Sequence, residues 1–163
     1  MRRLIWTLIA LGPIAHAAEP PTLGTRLEQA LRCEGQPSNV VSWLDPLVDK
    51  DHPDAAITAS GEELDYRIDV QLKQPLEIAG AQTRTVTWQT DGADKRFGGI
   101  VYAEFEGDAA AAAKALSLTA HANEDRMGDY RREVPDGNLC PPTVLLTPTE
   151  RGRFLLGCGW CNG

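Results

Sequence analysis

The sequence is short of the features that announce an activity. It has three histidines, and one of them, His16, lies in an N-terminal leader, leaving His52 and His121. It carries no G-x-S-x-G elbow, no phosphate-cradling glycine loop, no H-E-x-x-H pair and no cysteine–histidine protease signature. A serine hydrolase, a P-loop nucleotide hydrolase and a zinc peptidase therefore find no support, no catalytic residue is assigned and no cofactor is expected. Beyond the leader no stretch approaches the ~20 apolar residues of a membrane helix. No internal repeat or low-complexity linker divides the chain. Basic residues are outnumbered, 16 Lys and Arg against 23 Asp and Glu, for a net charge of −7. So acidic a chain is a poor ligand for nucleic acid or anionic lipid, and neither is expected as a partner.

What is present begins with an address. Arg2 and Arg3 precede an apolar run, Leu4 to Ile14, and Ala15-His16-Ala17 then places small residues where a signal peptidase reads them. Residues 1–17 are expected to be a signal peptide and residues 18–163 a single domain, periplasmic or fully secreted, with no membrane insertion after cleavage. The leader takes two of the 16 basic residues, so the rest carries 14 − 23 = −9.

All four cysteines, Cys33, Cys140, Cys158 and Cys161, follow the leader. An even count in an oxidising compartment reads as two disulfides. If Glu150-Arg151 is a two-residue turn, paired positions sum to 301 and Cys140 falls opposite Cys161. Cys158 lies three residues before Cys161 and so faces the other side of the strand, free to reach Cys33. Cys33–Cys158 with Cys140–Cys161 is the expected pairing. Pro141 and Pro142 weaken that ladder, and a turn at Arg151-Gly152 would move the sum to 303. Cys158-Gly-Trp-Cys161 also reads as a thiol–disulfide exchange motif. That reading wants a following helix to lower the thiol pKa, and the pattern offers none. Zinc would want a second C-x-x-C pair, which is missing, so no metal is expected.

Periodicity supplies the elements. Thr25 to Arg32 predicts a short helix with Leu23, Leu27, Ala30 and Leu31 on one face and Thr25 with Glu28 as a capping box. A second helix starts near Ser38 and is limited by Pro46. Alternation predicts strands at Tyr66 to Leu72, ended by Pro75, at Thr83 to Thr90, at Phe97 to Glu106 and at Met127 to Val134. Asp108 caps an alanine-rich helix to Leu118, and a hairpin closes the chain. The expected architecture is α+β: a mainly antiparallel sheet of about five or six strands, helices packed on one face, braced by disulfides.

Candidate sites are few. His52 stands among Asp49, Asp51 and Asp54, and His121 precedes Glu124 and Asp125; both read first as solvated loops. Glu62-Glu63 and the pair Glu104 and Glu106 offer carboxylates, although the polar side of a half-exposed strand accounts for the second pair. Trp43 and Trp88 read as core. Trp160, between glycine and cysteine, is the expected exposed binding contact. The function that remains is a small, acidic, non-enzymatic binding protein of the cell envelope. Its most specific form is an inhibitor or immunity-type protein facing another envelope or secreted protein. Thiol–disulfide exchange through the C-terminal cysteine pair is the alternative.

Overall fold

A computed structural model of the protein describes residues 20–62, 65–90, 98–121, 128–137, 139–150 and 152–160. The expected leader, Glu63, Glu124, Asp125 and Cys161 lie outside them, as do Phe97 and Met127, the expected first residues of two strands.

Helix α1, Leu23–Leu31, buries Leu23, Leu27, Ala30 and Leu31, the face that the spacing predicts. Its cap is Thr22 rather than Thr25: the Thr22 hydroxyl accepts from the Thr25 N–H at 3.2 Å. The end is closed by two reversed bonds, Cys33 N–H to Ala30 O and Glu34 N–H to Gln29 O. That closure requires a left-handed residue just past the helix. Cys33 takes the position, with φ 55°, where glycine is the usual occupant. The second helix, α2, is shorter than expected. It spans Val40–Leu44 between two single turns of 3-10 helix, and Asn39 rather than Ser38 stands at its start.

The strands are β1 Ala55–Ser60, β2 Arg67–Ile78, β3 Ala81–Gln89, β4 Gly99–Glu106, β5 Thr119–Ala120, β6 Tyr130–Glu133, β7 Thr143–Pro148 and β8 Arg153–Trp160. Between β4 and β5 lies helix α3, Ala109–Ala115. Asp108 caps it by accepting from Ala110 and Ala111 N–H at 2.8 and 3.0 Å. It stops short of Leu118 because Ser117 turns left-handed and Leu118 N–H folds back to Ala113 O. That turn buries Leu116 and Leu118.

Among the described residues, eight strands form one antiparallel sheet in the order β1-β2-β3-β4-β8-β7-β6-β5. The fold is α+β, with eight strands where periodicity predicts five or six. The two that periodicity misses are the edges. Residues 55–60 are alanine-rich and show weak alternation, and β5 has two residues. Two meanders, β1 to β4 and β5 to β8, meet where β4 pairs with β8.

Register decides which side chains share a face. Val101, Ala103 and Phe105 of β4 lie directly opposite Cys158, Leu156 and Phe154 of β8. These residues and the apolar faces of α1, α2 and α3 join one buried cluster. The Phe105 and Phe154 rings stack across the strands at 5.6 Å between centroids, a contact of the kind worth about 0.5–1.5 kcal/mol beyond burial. Cys33 is bonded to Cys158, with Cα atoms 5.2 Å apart, so α1 is tied to a central strand across 125 residues of chain. A disulfide fits an oxidising compartment. No helix among the described residues is long and apolar enough to cross a membrane.

The closing hairpin departs from its expected register. Pairs across β7 and β8, such as Val144 with Cys158, sum to 302. Neither two-residue turn forms. Thr149 N–H bonds Arg153 O, Arg153 N–H bonds Glu150 O, and Gly152, with φ 77°, stands just before β8. Strand β7 begins at Thr143, beyond both prolines, so the ladder does not reach Cys140. Cys140 is disulfide-bonded; its expected partner, Cys161, lies outside the described residues.

Breaking the Cys33–Cys158 bond should cost about 3–5 kcal/mol, the range for a cross-link that closes a loop of this length. Urea denaturation of Cys33→Ala/Cys158→Ala against the parent protein measures it. Gly157→Ala tests the β4–β8 seam separately. A Cβ there would lie 2.6 Å from Val101 O and 2.8 Å from Tyr102 Cβ, so a loss of about 2 kcal/mol or more is expected.

Candidate functional site

The sheet has a second face. Its residues alternate with the core positions and are mostly polar: Arg67, Asp69 and Gln71 on β2, Thr85, Thr87 and Gln89 on β3, Tyr102, Glu104 and Glu106 on β4, and Arg153 and Leu155 on β8. The buried residues of α1, α2 and α3 all join the core on the opposite side.

This face is not flat. Between the pairs Gln71–Thr85 and Leu76–Thr83, four residues of β2 (72–75) stand opposite the single residue Arg84 of β3. Between Gln82–Glu106 and Thr87–Tyr102, four residues of β3 (83–86) stand opposite three of β4 (103–105). Pro75 sits in the first irregularity, so it bends β2 without ending it and the strand continues to Ile78. The Arg84 guanidinium closes the gap, donating to Lys73 O at 2.7 Å. The Thr83 hydroxyl holds the second irregularity, donating to Thr85 O and accepting from Thr85 N–H. Extra residues in neighbouring strands bend the sheet and open space between their side chains. A depression of about 440 Å³ results, with Gln82, Thr85, Tyr102, Glu104, Glu106 and Arg153 in its lining.

The polar groups around it are held by one another. Arg67 grips Asp69 through Nε and Nη2 at 2.8 and 2.7 Å, and the Thr87 hydroxyl donates to the same carboxylate at 2.6 Å. Burial alone would raise the Asp69 pKa, but the bonds from Arg67 and Thr87, with the Arg67 charge, outweigh it and hold the carboxyl below its ordinary value. The same bond raises Arg67. Tyr102 donates to Gln89 Oε1 at 3.1 Å, and Thr85 to Gln71 Oε1 at 2.8 Å. Glu104 accepts from the Thr149 hydroxyl at 3.2 Å and lies 3.7 Å from Arg153.

Other sequence candidates fall elsewhere. Trp160 is 5% exposed, so its expected exposure is corrected: it points to the core face, and a Cβ on Gly99 would meet its ring at 2.9 Å. Glycine beside the indole suggests exposure, but here Gly99 on β4 makes room for it within the core. Trp88 is also buried, and Trp43 lies half-buried under the Arg26 guanidinium, 4.1 Å from its ring centroid. His52 Nδ1 accepts from Asp54 N–H within its own loop. His121 lies against Arg131. Among the described residues no three acidic, histidine or cysteine side chains gather as metal ligands. Cys158 is fully buried and bonded to Cys33, whereas an exchanging cysteine must be exposed as a thiolate.

Periodicity finds Glu104 and Glu106 as face-mates. The same alternation sets Tyr102 on their face of β4, opposite Val101, Ala103 and Phe105, but it misses Arg84, whose placement depends on the two irregularities. Pro75 beside an alternating run is the available signal for the first of these.

The depressed pKa of Asp69 gives a pH signature. A folded value below the unfolded ~3.9 adds stability above that value, and the gain is lost as pH falls through the folded value. Asp69→Asn should cost about 1 kcal/mol at pH 7, allowing for the partial exposure of the pair, and less at about pH 2. Urea midpoints of both proteins at the two pH values measure the difference.

Comparison with protein-family models, with curated proteins and with solved structures finds no match for this chain.

Proposed function

We propose that the protein is an exported, non-enzymatic binding protein of the cell envelope that presents the open face of its sheet to a macromolecular partner. In its most specific form it is a periplasmic inhibitor or immunity-type protein that covers another envelope or secreted protein. One observation carries the reading. Among the described residues, the helices back one side of the eight-stranded sheet, and the other side carries polar groups already fixed by mutual bonds around a depression. Such a surface loses little side-chain freedom when it is covered, and ordering of that kind is a main cost of association. The net charge, −7 for the whole chain and 14 − 23 = −9 without the expected leader, favours a basic partner and a fast encounter. The disulfide-tied core supports export, because such bonds persist in oxidising compartments.

The test is capture from envelope and secreted fractions by the immobilised, disulfide-bonded protein. A defined partner is expected, with capture falling as salt rises from about 0.05 to 0.5 M. Thr85→Arg, in the middle of the open face, should lower capture at least about tenfold. Ala111→Arg, exposed on α3, should leave it unchanged. Equal capture by the two variants would overturn the choice of face.

A further inference from the structure

The depression has its own chemistry. Two carboxylates, Glu104 and Glu106, and two guanidiniums, Arg84 and Arg153, line it, so its formal charge is zero on a chain of −7. Glu104 lies within reach of Arg153, and Arg84 is bonded to a backbone carbonyl. The lining as a whole carries no excess of either sign to select a cation or an anion. What the depression offers is a dense set of donors and acceptors: the Gln82 amide, the Thr85 hydroxyl held by Gln71, the Glu106 carboxylate and the Arg153 guanidinium. Beside them stands the ring of Tyr102, half-buried and steadied by its bond to Gln89. Leu155 and Pro75 add small apolar surfaces.

We propose that this depression is a subsite for an uncharged saccharide, a stretch of glycan on or near the partner. A sugar ring carries several hydroxyls, each able to donate and accept, and it has an apolar face of C–H groups. It therefore needs fixed polar groups of both kinds, together with an aromatic surface. Charge-assisted bonds from carboxylate and guanidinium serve hydroxyls well without selecting a charged ligand. The volume, about 440 Å³, falls within the ~300–1,000 Å³ of small-ligand sites. The inference rests on the reading of the open face as the binding face, and it adds the class of ligand.

The experiment is titration of the purified, disulfide-bonded protein with maltohexaose, cellohexaose and fully N-acetylated chitohexaose, followed by calorimetry and by amide chemical shifts. At least one sugar should bind and shift amides of residues 82–87 and 102–106. Tyr102→Ala and Glu106→Gln should each weaken binding about tenfold, whereas Tyr102→Phe, which keeps the ring, should retain most of it. Near-ultraviolet circular dichroism of each variant confirms the fold, and Glu106→Gln serves should Tyr102→Ala misfold. No binding by any of the three sugars overturns the proposal, as does binding that ignores both Tyr102→Ala and Glu106→Gln. Preference for cationic chitosan oligomers or anionic oligogalacturonate over the neutral sugars overturns it too. If the sugars fail while Thr85→Arg still abolishes protein capture, the saccharide assignment falls and the open face stands.

Discussion

Strand β8 pairs with β4 along its whole length, and this seam joins the two meanders and sets the register of both. It places Phe105 on Phe154 and Val101 on Cys158, which puts the sulfur under helix α1. It also requires a close approach of the two backbones, which Gly157 allows by having no side chain. Gly157 sits among the open-face positions of β8, and its role is to admit neighbouring atoms rather than to loosen the strand. The disulfide then fixes the helix layer to the same strand, so one seam anchors the sheet and its cover.

The open face inherits its shape from defects in that regular frame. A regular antiparallel ladder with this alternation would present a smooth polar surface. The unequal runs at 72–75 and 83–86 interrupt it, and Arg84 and Thr83 satisfy backbone groups that the interruption exposes. Neighbouring side chains then bond in pairs, as with Arg67 and Asp69 or Thr85 and Gln71. Pre-paired groups lower the ordering cost of recognition and limit the penalty for burying charge.

Much of the frame is legible in the sequence, because burial writes its period into the strands. The core residues of β4, of α1 and of β2 as far as Leu72 follow from spacing, and parity along β8 points Cys158 toward Cys33. Three features are not legible, each for a physical reason. Edge strands carry little alternation, since one neighbour and a short length relax the demand for it, and so periodicity assigns no strand to residues 55–60. Hairpin register depends on local backbone angles, such as the positive φ at Gly152, and not on hydrophobic pattern. Trp160 shows why local composition misleads. Nearby glycines suggest freedom, but the space that holds the indole comes from Gly99, on a different strand.

The place of β8 in the sheet also bears on how the molecule is made. The middle of the sheet is completed by the segment that leaves the ribosome after the other seven strands. Until it arrives, β4 and β7 each present an unpaired inner edge, and the first meander cannot close against the second. Contacts this distant in sequence cost loop entropy before they return any stability, so folding is expected to be slow and concerted rather than sequential. The interval before β8 inserts is when edge-to-edge association between chains competes most strongly with folding.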